Sequence, residues 1–327
     1  MLVIFDKSKD PYFNLASEEY LLSSDYFSQP VIRIWQNSPA IIVGKFQNTL
    51  AEINQDYILE KNLAVVRRIT GGGAVYHDLG NINYTIAQPS TSKTIDFSQF
   101  TQPVIQLLKT YGLEAENKGR NDIELAGYKI SGGAQTINKN RLLHHGTLLF
   151  DAELAVAAKA LRPKQTKLDA KGVQSIRARI GNIKDFMPNP ITVEQFLLDL
   201  QSFFLKQGES TSYQFSENEQ IAIQKLLTQK YSTWEWNYGQ SPDYNMEKTV
   251  KYPWGELGIY LLLKNQTIQK IKIYGDFFSI HEVQKEFDKL CNISYAEQAL
   301  LNKIKQTNIL QSLPYLKEEE LIAQLLK

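Results

Sequence analysis

Residues 67–78 read RRITGGGAVYHD: two arginines run straight into three glycines, and a strand-like segment follows, ending in His77 and Asp78. Glycine is costly to order and packs no side chain, so Gly71, Gly72 and Gly73 in succession need a reason. One reason is a tight turn between strands. Another is that, without Cβ atoms, successive backbone N–H groups can converge on an anion. Arginine beside such a loop adds the side chain that grips phosphate bidentately. The spacing is neither the G-x-x-x-x-G-K-[ST] phosphate loop nor G-x-G-x-x-G ahead of a helix. AVVRRI (64–69) reads as a strand before the loop, and NINYTIAQ (81–88) as a half-buried strand after it, with Ile82, Tyr84 and Ile86 on one face. The residues alone leave hairpin and anion site both open.

Outward from this stretch, LVIF (2–5) reads as a strand and NLASEEYLL (14–22) as a helix capped by Asn14. VIRIWQ (31–36) and AIIVGKF (40–46) read as paired strands around NSP, and residues 51–62 as one helix. A helix is expected to begin near Pro103 and to stop at Gly112. Residues 122–150 read as a meander of short strands broken at Ala126-Gly127, Gly132-Gly133 and Asn138-Lys139-Asn140, followed by a helix capped by Asp151. Residues 163–186, rich in lysine and arginine, read as a long loop, expected to close over a bound nucleotide. Amphipathic helices follow at 192–208 and 217–231. The turn-rich NYGQSPDYN (237–245) divides the chain into 1–240 and 241–327, and the second part carries antiparallel strands and then helices. Strands followed by helices, twice, give an α+β pattern.

The 327 residues carry 36 Lys plus Arg against 35 Asp plus Glu, a net charge of +1 that argues against a general nucleic-acid binder. No run of apolar residues approaches the length of a membrane span, and acidic residues stand early in the N-terminus where a signal peptide would be apolar. The expectation is a cytoplasmic, monomeric protein with no nucleic-acid or membrane partner. Cys291 is the only cysteine, so no intramolecular disulfide can form.

Two further blocks extend the opening stretch. GRNDIELAGYKISGGAQ (119–135) places Lys129 ahead of a second glycine pair, and RLLHHGTLLF (141–150) places His144 and His145 before an apolar strand. In extended chain the two histidines point to opposite faces, so one of them at most shares a pocket with Lys129.

These blocks, in this order, resemble the signature of the lipoate–protein ligases. KLDAKGVQSIRARIGNI (167–183) is similar to that family's adenylate-binding loop, and residues 254–278 to the C-terminal domain of its long form. The resemblance implies a biotin/lipoate ligase-like α+β fold: a large catalytic domain (1–240) of mixed sheets flanked by helices, and a small α+β accessory domain (241–327). It implies an enzyme that converts lipoic acid and ATP, with Mg²⁺, to lipoyl-AMP and transfers the lipoyl group to a carrier lysine. The carriers implied are the glycine-cleavage H protein, the E2 subunits of 2-oxoacid dehydrogenases, or both. By the same resemblance Lys129 is the catalytic residue, bridging carboxylate and α-phosphate. Arg68, Gly73, Ala74, Val75 and Tyr76 bind the nucleotide with it. Gly71, Gly72, Gly73, His145 and Trp35 face lipoate, and Asp122 is a candidate Mg²⁺ ligand. Val43 and Gly44 are further candidates for the tunnel wall. The alternative is a carrier-binding or acyl-relay protein of the same fold. An acyl relay needs a cysteine, and Cys291 is far in sequence from every one of these blocks.

Overall fold

A computed structural model describes residues 1–90, 96–119, 121–161, 180–238, 246–279 and 282–326. Residues 163–179 of the expected nucleotide-closing loop and 239–245 of the expected linker lie outside the described residues.

The large sheet has eight strands: β1 (Leu2–Phe5), β2 (Val31–Trp35), β6 (Asn81–Pro89), β7 (Ala115–Lys118), β8 (Asp122–Leu125), β9 (Tyr128–Asn138), β10 (Arg141–Leu149) and β11 (Thr211–Tyr213). They are ordered β11-β1-β2-β6-β10-β9-β8-β7. β11, β1 and β2 run parallel to one another, and from β2/β6 onward every pairing is antiparallel. A second sheet holds β3 (Ala40–Val43) between β4 (Ala64–Arg67) and β5 (Val75–His77). β2 and β3 therefore do not pair, contrary to the expectation from sequence. The NSP connection passes the chain from the large sheet to the small one.

The first helix, Pro11–Ser23, starts three residues before the expected cap. Asp10 accepts the Tyr12 N–H (2.9 Å) and Pro11 opens the first turn with its preset φ. Asn14 is instead fully buried, its amide donating to Gln36 O and Asn37 Oδ1. The expected 51–62 helix is two short ones, Thr49–Glu52 and Gln55–Lys61, the second capped by Asn54. The helix expected from Pro103 begins at Ser98, where Asp96 accepts from the Ser98 N–H and hydroxyl, and it tolerates Pro103 in its interior. Gly112 ends it with φ +76°. The helix expected from Asp151 is Leu154–Ala160, with Glu153 at its cap.

β6 departs from the half-buried reading in an instructive way. Ile82, Tyr84 and Ile86 enter the main core with Ile32, Ile34, Phe100 and Phe196. The opposite face, Asn81, Asn83 and Thr85, is just as buried. Of these, Asn83 lines a cavity, and Thr85 is bonded to Trp35 and Glu18.

The C-terminal part folds around its own core. β12 (Met246–Tyr252), β13 (Gly255–Lys264) and β14 (Thr267–Gly275) form an antiparallel sheet covered by helices Val283–Asp288, Glu297–Ile304 and Glu318–Leu326. Phe46 of the large domain joins this core, stacked 4.6 Å from Phe277. No helix among the described residues is long and apolar enough to cross a membrane.

Candidate active site

Between the two sheets of the large domain lies a cavity of about 340 Å³. β6 and β10 supply its floor through Asn83, His145 and Thr147; Trp35 comes from β2, Leu15 from the first helix, and Ile42, Val75 and His77 from the small sheet. Arg68, Gly72, Gly73, Ala74, Tyr76 and Lys129 reach the same space. The structure thus brings together most residues singled out from sequence. Gly71, Val43 and Gly44 are not on the cavity wall, and Ile42 lines it where Val43 was expected.

The glycine loop is held from behind. Arg68 is 5% exposed, and its guanidinium donates to Gly71 O (2.6 Å), Gly73 O (2.8 Å), Ile42 O (3.2 Å) and Thr70 Oγ1 (3.0 Å). Burial lowers its pKa to about 10, so it is still charged at neutral pH. Two glycines are required by close approach. A Cβ on Gly44 would sit 2.0 Å from Gly72 O, and one on Gly71 would sit 2.1 Å from Phe277 O. Gly73 has nothing within 4 Å of that position.

Lys129 is aimed by a bulge in β9. Asp122 pairs with Gly132 and Glu124 with Lys129, which leaves Ile130 as the extra residue. The slip turns Ile130 into the main core and puts Lys129 on the face of Gly132 and Asp122. Lys129 Nζ lies 2.8 Å from Asp122 Oδ1 and close over Gly132, where a Cβ would be 3.1 Å away. The expected break at Gly132-Gly133 does not occur, because β9 runs continuously through both glycines. Asp122 offers one carboxylate, and no cluster of three metal-ligating side chains gathers among the described residues.

The two histidines separate as alternation requires. His144 packs against Phe100, with centroids 4.9 Å apart, and its pKa falls well below the usual value through burial. His145 faces the cavity side. Its Nδ1 lies 2.9 Å from both Glu18 oxygens and its Nε2 lies 2.9 Å from Thr70 Oγ1. Trp35 Nε1 donates to Thr85 Oγ1 (2.8 Å), whose hydroxyl donates to Glu18 Oε1 (2.6 Å). Burial pushes the Glu18 carboxyl up. The pull of His145, with the Thr85 hydroxyl and Arg33, outweighs that and holds it below the usual carboxylate range. One network therefore joins Trp35, Thr85, Glu18, His145, Thr70 and Arg68 to the glycine loop.

Glu18, Thr70, His77, Asn83 and Phe278 were not singled out from sequence. His77 and Asn83 stood inside the quoted motif and strand. Phe278, from the C-terminal domain, lines the cavity and could be found only in three dimensions.

Fold and cavity define a class: a large α+β domain with a cavity beside a glycine loop, and a small α+β domain packed against that loop. The Lipoyl protein ligase A/B catalytic domain model matches residues 10–205, and the Bacterial lipoate protein ligase C-terminus model matches residues 241–325. The sequence is 39% identical over 304 residues to lipoate-protein ligase LplJ of Bacillus subtilis, covering 92% of both chains. Among solved structures, P. falciparum LipL1 in complex with lipoate superposes with a TM-score of 0.82 at 28% identity, over 99% of this chain and 98% of that one. A lipoate-protein ligase A bound with ATP gives 0.63 at 27%, over 73% of this chain and 98% of that one. The chain belongs to the lipoate–protein ligase family, and it is an enzyme of the ligase class.

Proposed function

We propose that this chain activates lipoate with ATP and transfers the lipoyl group to a lysine of a carrier domain, the H protein, an E2 subunit or both. The carrying observation is one cavity whose lining brings together Trp35, the glycine loop and the Lys129 ammonium. That arrangement suits an amphiphilic acid whose carboxylate must meet a phosphate.

A free carboxylate is a poor acyl donor because its leaving group would be oxide. In the first step a lipoate carboxylate oxygen attacks the α-phosphorus of ATP and the bond to pyrophosphate breaks. In the second, the carrier amine attacks the acyl carbon and AMP leaves. Lys129 supplies a fixed positive charge between carboxylate and α-phosphate, where negative charge grows in the transition state. Gly73, Ala74, Val75 and Tyr76 offer backbone to the adenylate. Arg68 shapes the loop and binds phosphate on releasing the Gly73 carbonyl. Asp122 would hold Mg²⁺, which would supply charge to neutralise the leaving pyrophosphate. Trp35 and His145 receive the distal end of lipoate. Residues 1–240 carry this chemistry and 241–327 shape access to it. An acyl-cysteine relay has little support, since Cys291 packs at the edge of the C-terminal core.

ATP–pyrophosphate exchange with lipoate, octanoate and biotin tests the reading. Exchange dependent on lipoate is expected; exchange with biotin alone, or with none of the three, contradicts it.

A further inference from the structure

Two residues that line the cavity each carry a buried nitrogen with no hydrogen-bond partner among the described residues: His77 Nε2 and Asn83 Nδ2. His77 is 4% exposed and Asn83 2%. A buried donor left unpaired is costly, and such sites reject ligands that cannot pair it.

The tautomer of His77 follows from a chain of one-way bonds. A guanidinium only donates. Arg33, held by Asp6 at 2.7 Å, donates from Nη2 to Asn14 Oδ1 (2.5 Å), which fixes the carbonyl end of that amide. Asn14 Nδ2 then donates to Asn37 Oδ1 (2.9 Å), and Asn37 Nδ2 faces His77 Nδ1 at 3.1 Å. An amide nitrogen donates and does not accept, so His77 Nδ1 is the acceptor and Nε2 carries the proton. Burial, with the nearby charges of Arg68 and His145, lowers the His77 pKa to about 3, so the ring stays neutral. At Asn83, Asn81 Nδ2 donates to Oδ1 (3.0 Å), and the Asn83 NH₂ has no partner among the described residues.

The sheet places these donors relative to Lys129. Asn83 pairs with Trp35 on one side and Thr147 on the other. Thr147 Oγ1 accepts from the Gly132 N–H (3.2 Å), and Lys129 lies over Gly132. Two strand spacings, about 10 Å, separate Asn83 from that point. An acid whose carboxylate meets Lys129 therefore brings the far end of a medium-length chain to Asn83 and His77.

We propose that His77 and Asn83 select for the dithiolane ring: their N–H groups meet the ring sulfurs of lipoate, weak acceptors that octanoate lacks, and Arg33, Asn14 and Asn37 are positioning residues that keep His77 in the donating tautomer. The proposal rests on the lipoate-activating function above.

The test is ATP–pyrophosphate exchange by the full chain with lipoate and with octanoate, for wild type, Asn83→Leu and Asn37→Leu, alongside ¹⁵N NMR of the His77 ring. The expected KM for octanoate exceeds that for lipoate by about five-fold or more, the value of one hydrogen bond. Asn83→Leu shrinks this ratio chiefly by raising the lipoate KM, with kcat less affected. The His77 ring shows an Nε2-protonated signature in wild type and mixed tautomers in Asn37→Leu. A His77 protonated on Nδ1, or a KM ratio unmoved by Asn83→Leu while both acids exchange, overturns the proposal alone. No exchange with either acid overturns the function and the proposal with it. The wild-type ratio and spectrum stand even where a variant does not fold.

Discussion

Lys129 is where sequence, geometry and chemistry meet on one atom. Its ammonium is held by Asp122 and lies against a glycine, so it is preorganised before any ligand arrives. Losing one such group typically costs about 10²–10³ in rate. Lys129→Ala is expected to lower lipoate-dependent pyrophosphate exchange by that order while the fold persists. Lys129→Arg should recover little, because a planar guanidinium cannot take the place of a compact charge. Near wild-type exchange in a folded Lys129→Ala protein would remove this lysine from the account. The buried histidines give a second prediction at this scale. His77 and His144 have folded pKa values depressed below the usual 6.5. The unfolded chain therefore binds more protons as pH falls through 6.5, and stability declines toward acid. Each histidine contributes up to about 1.4 kcal/mol per pH unit in that window. Denaturant midpoints taken from pH 7.5 to 5 should fall toward the acid end; a flat profile contradicts neutral burial of both rings.

The glycine loop is the element on which the site turns, and the glycines in it and against it differ in kind. Gly44→Ala would put a methyl group into the Gly72 carbonyl, displacing the loop at a cost of about 1–3 kcal/mol. Gly73→Ala meets open space and should unfold at the wild-type midpoint. If Gly73→Ala nevertheless loses exchange activity, the loss marks close approach of a ligand to that backbone. Equal destabilisation by the two substitutions would contradict this loop geometry. Much of this element was legible beforehand, since Arg68, the glycines and Lys129 lie in short, strongly patterned segments. What was not legible depended on partners distant in sequence. The alternation of β6 looked half-exposed because a polar cavity floor and a solvent face have the same pattern. The strands flanking NSP looked like a hairpin because nothing local tells which sheet a strand joins. The bulge at Ile130 that aims Lys129 leaves no mark in composition. Asn14 resembled a cap, and its burial beneath Gln36 and Asn37 could not be read from the helix alone.

At the scale of the whole molecule, two cores meet across the glycine loop. Phe277 O accepts the Gly72 N–H (3.4 Å), Phe46 O accepts the Gly275 N–H (2.6 Å), and Lys45 pairs with Glu282 at 3.0 Å. Phe278 lines the cavity, so the C-terminal domain touches the site, and among the described residues it adds no titratable side chain to the cavity wall. The proposed division assigns both half-reactions to a single chain, with acid, nucleotide and carrier amine meeting at one cavity. Intact-mass spectrometry of a purified apo carrier domain, incubated with this chain, lipoate and ATP, tests that claim most directly. The account predicts that the carrier gains the mass of one lipoyl group on its acceptor lysine, only when ATP and lipoate are both present. An unmodified carrier under those conditions, with both an H protein and an E2 domain supplied and the chain folded, would contradict it.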